Sequence, residues 1–107
     1  MSNTELANLL VILRESFKQI FGDQFDRMLL FGSRARGDNR ADSDIDILMV
    51  LHGEFDYVEA IRRTSELVAR LSLENDIILS RSFVSQHDFE QEQSPFLLNI
   101  RREGVVL

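Results

Sequence analysis

Two aspartates one residue apart, Asp44 and Asp46, stand at the head of the apolar run Ile47-Leu48-Met49-Val50-Leu51. That run has the β-branched and aliphatic character of a buried strand, and on a strand residues i and i+2 face the same side. Their backbones are then about 6.5 to 7 Å apart. Partly buried carboxylates at that spacing repel by about 2.5 kcal/mol at an effective dielectric near 20. A divalent cation between them removes the conflict, and all-oxygen donors in a chain without cysteine point to Mg²⁺ or Mn²⁺ rather than zinc. Mg²⁺ held by one or two carboxylates completes its shell with water and substrate phosphates, so the implied ligand is a nucleoside triphosphate.

The residues just upstream suit such a ligand. Gly32-Ser33 ends a short apolar stretch; glycine lets the backbone approach phosphate oxygens, and exposed N–H groups form an anion-binding concavity. The Ser33 hydroxyl adds a donor. Arg34, Arg36 and Arg40 follow, and guanidinium forks match phosphate geometry. No Gly-Lys-Ser/Thr follows at Walker A spacing. A third acid, Asp76, opens the apolar run Ile77-Ile78-Leu79 and is expected at the same end of the sheet, with Glu74 of the same strand parity as the competing choice. Three acids would allow a two-metal site; alternatively Asp76 is a general base.

The elements that position these residues follow from periodicity. Leu6, Leu9, Leu10, Leu13, Phe17, Ile20 and Phe21 form one stripe of a first helix, opened by a Ser2/Glu5 capping box and closed at Gly22-Asp23. Strands are expected over Arg27 to Phe31 and Asp44 to Leu51. Phe55, Val58, Ile61, Ser65, Val68 and Leu71 outline a second helix, and Asp76 to Leu79 a third strand before a loop over Ser80 to Ser85. A helical turn at Gln86 to Glu92 and a final helix from Phe96 to Glu103 complete the chain. Ser94-Pro95 gives the last helix its N-cap and first turn, and Gly104 its C-cap. The expected fold is α+β in α/β layers: a small mixed sheet flanked by helices, in one domain spanning residues 1–107.

Composition narrows the functions. The formal charge of −6 argues against direct nucleic-acid binding, which needs clustered Lys and Arg. Zero cysteines fit a reducing cytoplasm, and no apolar run approaches the twenty residues of a membrane span. His52 and His87 lack partners at metal-ligand spacing and read as surface, and Tyr57, the one tyrosine, reads as helix surface or packing rather than a target.

Gly32-Ser33, ten intervening residues and Asp44-Ile45-Asp46, set between two apolar strands, resemble the signature of the DNA polymerase β-type nucleotidyltransferases. The chain is most similar to their minimal nucleotidyltransferase (MNT) members, through to the closing Phe96-Leu97-Leu98-Asn99-Ile100-Arg101-Arg102-Glu103-Gly104. The resemblance implies the polymerase β-like fold and a Mg²⁺-dependent nucleotidyl transfer. It implies Asp44, Asp46 and Asp76 as catalytic metal ligands, and Gly32, Ser33, Arg34 and Arg36 at the triphosphate. It further implies an antitoxin that moves AMP from ATP to a tyrosine hydroxyl of a HEPN-domain ribonuclease toxin. Two other readings stand beside it: an antitoxin that neutralises by occlusion, and a transferase acting on a small-molecule hydroxyl.

Overall fold

The computed structural model describes residues 1–32, 34–35 and 44–107. The expectations placed on Ser33, Arg36 and Arg40 lie outside the described residues.

Helix α1 (Asn3–Phe21) starts where the Ser2 hydroxyl accepts the Glu5 N–H and the Glu5 carboxylate accepts the Ser2 N–H, both at 3.1 Å. Its stripe buries Leu9, Leu13, Phe17 and Phe21, and Gly22 ends it at φ 55°. After a 3-10 turn (Gly22–Gln24), strand β1 (Phe25–Phe31) runs antiparallel to β2 (Ile45–Leu51). A long crossover through α2 (Tyr57–Asn75) then returns the chain to β3 (Leu79–Ser85), parallel to β2. The chain closes with α3 (Gln86–Gln91), α4 (Pro95–Glu103) and a two-residue strand β4 (Val105–Val106) antiparallel to β1. The sheet order is β3-β2-β1-β4, so the expected mixed sheet with helical cover is present.

Strand parity sorts the core into two layers. Ile45, Ile47, Met49 and Leu51 of β2 pack with α1, α2 and Phe83 in the larger cluster. Leu48 and Val50 join Leu29, Phe89, Leu97 and Ile100 under α3 and α4. Asp46 shares the parity of Leu48 and Val50, so the second face carries both the smaller core and the acids.

Two expectations need correction. The stripe of α2 is Ala60, Thr64, Val68 and Leu71, whereas Val58 and Ser65 are exposed. Thr64 is fully buried because its hydroxyl donates to the Ala60 carbonyl and receives Arg81 Nε, while Arg81 Nη2 reaches the Ile61 carbonyl. This polar clamp ties α2 to β3. The third strand does not open at Asp76: it begins at Leu79 and occupies the stretch expected to be a loop. Asp76 instead caps α2 in the left-handed region (φ 52°, ψ 50°), its N–H donating to the Leu73 and Ser72 carbonyls. Aspartate tolerates that conformation better than most side chains. Gly104 is the C-cap of α4 as expected, at φ −69° and with its N–H donating to the Ile100 carbonyl. A Cβ there would stand 2.6 Å from the Ile100 carbonyl oxygen and 3.3 Å from Leu29, a lack of room that only glycine accepts. Among the described residues no helix is long and apolar enough to cross a membrane.

Candidate active site

The site is built at the N-terminal end of β2, where three strands meet. Asp46 pairs with Phe31 of β1 on one side and with Ser80 of β3 on the other. Asp44 precedes the strand and is exposed; Asp46 is half-buried. The Ile45 N–H donates to the Ile78 carbonyl at 2.9 Å, which pins the residue between the two acids to the segment leading into β3.

Burial and the nearby Asp44 carboxylate both raise the pKa of Asp46, burial being the larger cause. Both effects disfavour the charged form, so a cation between the acids would relieve both.

Gly32 turns the chain away from β1 at φ 76°. A Cβ at this position would overlap Oδ2 of Asp46 and lie 3.3 Å from its Cγ. The turn therefore needs glycine twice, for its backbone angle and for the carboxylate against it. Arg34, two residues on, has its Nε and Nη2 buried with no hydrogen-bond partner among the described residues. Buried guanidinium donors without acceptors are costly, and a phosphate oxygen is the acceptor such a fork suits. Two hard oxygen ligands, a glycine cradle and orphaned arginine donors together fit a divalent cation carrying a nucleoside triphosphate.

The structure brings Gly32 and Asp46 together, sets Asp44 one residue beyond Ile45, and places Arg34 just past the turn. It does not bring in Asp76. Among the described residues no three His, Cys, Asp or Glu side chains are placed to hold one metal ion. Asp76 opens instead onto a shallow cleft of about 570 Å³ lined by Ala69, Ser72, Leu73, Ile77 and Ile78. Glu74 is exposed in the last turn of α2, not on a strand. The β3 residue facing Asp46 is Ser80, exposed and on the same sheet face. The sequence carries no signal for Ser80, because Ser80-Arg81-Ser82 lacks the apolar alternation of a strand. The larger cleft of about 760 Å³, lined by Glu54, Phe55, Tyr57, Phe83 and His87 among others, lies past the opposite ends of β2 and β3 and contains neither acid.

A paired-aspartate strand end beside a glycine turn, on a mixed sheet covered by helices, defines the nucleotidyltransferase class. The chain belongs to the nucleotidyltransferase domain family, whose model matches residues 10–100. Two relatives from Methanocaldococcus jannaschii are each designated a candidate protein adenylyltransferase. One is 33% identical over 93 residues, covering 86% of this chain and 87% of the relative. The other is 32% identical over 76 residues, covering 71% and 76%. Among solved structures, a candidate nucleotidyltransferase from Sulfolobus solfataricus aligns with a TM-score of 0.58 at 22% identity, covering 94% of this chain and 79% of that one. A toxin–antitoxin complex with AMP-PNP aligns at 0.57 and 18% identity, covering 92% and 69%. A variant of the toxin–antitoxin MntA–HpeT aligns at 0.55 and 16%, covering 99% and 71%. At these identities the structural likeness is one of fold.

Proposed function

We propose that this chain is a Mg²⁺-dependent adenylyltransferase that moves AMP from ATP to a tyrosine hydroxyl of a cognate HEPN-domain toxin, and is the antitoxin of that pair. The observation that carries the reading is the packing of Gly32 against Asp46, with Asp44 beside it and the buried Arg34 donors unpaired among the described residues. The relatives named for protein adenylylation support a protein acceptor, and the toxin–antitoxin neighbours, one with AMP-PNP, support a toxin partner and an adenine nucleotide.

Asp44 and Asp46 would hold the cation, Mg²⁺ or Mn²⁺. When bound, it supplies Lewis-acid stabilisation of the triphosphate and of the attacking oxygen. The chain's own residues do the rest. Gly32 leaves room for the Asp46 carboxylate to lie against the turn, and Arg34 Nε and Nη2 donate to the phosphates and offset the charge of the departing pyrophosphate. The acceptor oxygen attacks the α-phosphorus, the bond from the α-phosphorus to the oxygen bridging to the β-phosphate breaks, pyrophosphate leaves with that oxygen and its electron pair, and the hydroxyl proton passes to solvent water. Asp44 is exposed, which leaves that end of β2 open to a hydroxyl on another molecule.

The test is incubation of the purified chain and its toxin with α-labelled ATP. Label is expected on the toxin, and is lost in Asp44→Asn and Asp46→Asn. Label that survives both substitutions overturns the reading. Neutralisation of the toxin that persists in both variants without label would identify occlusion as the mechanism.

A further inference from the structure

A third, smaller cleft adjoins the Asp44–Asp46 end of the sheet. It has a volume of about 200 Å³ and is lined by Phe31 and Gly32 of the β1 end and by Phe96, Asn99, Ile100 and Glu103 of α4. That is below the roughly 300–1,000 Å³ of pockets that take a whole ligand, and suits one ring system of a larger one. Gly32 belongs to both places, since it touches Asp46 and also forms the near wall of this cleft.

The walls have the chemistry of a base site. Phe96 is 48% exposed, unusual for a ring in the first turn of a packed helix. It is nevertheless held in place, edge to face with Phe31 at 5.6 Å and 89°. Ser94 anchors that turn, its hydroxyl accepting the Leu97 N–H at 3.3 Å. A fixed, half-exposed aromatic ring is a stacking platform for a nucleobase. One turn along the same helix face, the Asn99 side-chain amide receives Arg102 Nη2 on its Oδ1 at 3.0 Å. The contact orients the amide and leaves its N–H₂ group for an acceptor on a base edge.

We propose that this cleft seats the nucleobase of the triphosphate, with Phe96 as the stacking ring and Asn99 as the group that reads the base edge. The proposal rests on the nucleotidyltransferase reading of the neighbouring acids and adds the place where the nucleoside end of the substrate goes. Gly32 is then the joint between a phosphate half and a base half.

Calorimetric titration of the whole chain with Mn²⁺·ATP and, separately, with Mn²⁺·tripolyphosphate tests the two halves apart. Phe96→Ala is expected to weaken ATP binding about tenfold, within the range of base–aromatic stacking, and to leave tripolyphosphate binding unchanged. Phe96→Tyr should keep ATP affinity, and Phe96→Leu, which retains packing on Phe31, should lose it as Phe96→Ala does. Asn99→Ala should bring the affinities for ATP, GTP and CTP closer together. Unaltered ATP affinity in Phe96→Ala, or equal weakening of ATP and tripolyphosphate, overturns the base site. A wild-type chain that binds tripolyphosphate as tightly as ATP also overturns it, while leaving the metal and phosphate site standing. Failure to bind either probe removes the phosphate reading along with it.

Discussion

Gly32 and Asp46 are built against each other: the hydrogen of a glycine α-carbon occupies the space where any side chain would meet the carboxylate. Gly32 directly follows β1, whose last residue, Phe31, pairs with Asp46 of the antiparallel β2, so the sheet register sets the contact. Gly32→Ala tests it. A left-handed alanine costs about 1–2 kcal/mol, so melting is expected a few degrees lower. Displacement of the carboxylate should lower nucleotidyl transfer by about a hundredfold or more. Circular dichroism melts and a transfer assay on the same preparation separate the two effects.

Asp46 works against the stability of the cation-free fold. Its folded pKa is raised by burial and by Asp44, so its stabilising contribution is complete below the ordinary aspartate pKa and is lost as pH rises through the raised value. Asp46→Asn cannot ionise. In EDTA its melting temperature should match wild type in acid, exceed it increasingly across that window, and hold a constant lead at neutral pH. Melting curves at a series of pH values check this, and a wild-type lead at pH 7 would refute it.

Arg34 presents the same trade in another form. Its buried Nε and Nη2 lack partners among the described residues, and unsatisfied buried donors cost about 1–3 kcal/mol. Arg34→Met keeps the stem and removes the donors. The ligand-free variant should melt higher than wild type, and binding of Mn²⁺·tripolyphosphate should fall at least about tenfold, as read by calorimetry.

Asp76 sits in the left-handed cap of α2, a conformation asparagine also accepts. Asp76→Asn should therefore melt with wild type. With its carboxylate outside the Asp44–Asp46 pair, transfer should stay within about threefold. A loss as large as that of Asp44→Asn would establish Asp76 as a third ligand. Ser80→Asp, which sets an acid opposite Asp46, should further destabilise the cation-free fold at neutral pH.

The parts of the fold that were legible in the sequence are those where one local signal and tertiary burial agree. The α1 stripe, its capping box, the β2 run and the Ser94-Pro95 helix start all have this character. The strand β3 was not legible because Ser80-Arg81-Ser82 lacks an apolar period. Its stability comes from pairing with β2 and from the Arg81 clamp on Thr64, both long-range. The same clamp rotates the α2 stripe, since a buried threonine satisfied by an arginine looks polar in isolation. Strand β4 rests on two paired residues, too few for any pattern. At the site, the spacing of Gly32, Asp44 and Asp46 was sufficient to name the chemistry. The place of Asp76 was not, because an acid just before an apolar run can begin a strand or end a helix, and only the backbone decides.

The parity of β2 has one more consequence. Its buried odd residues belong to one core, its buried even residues to another, and Asp46 takes its direction from the same alternation. The strand thus behaves like a reading frame. One residue inserted between Asp46 and Ile47 would turn Ile47 and Met49 toward α4 and Leu48 and Val50 toward α2, leaving the acids correctly aimed over a core packed inside out. Two inserted residues would restore the phase. Pairs of such insertions, single against double, would measure how far the geometry of catalysis here is a property of counting rather than of any individual side chain.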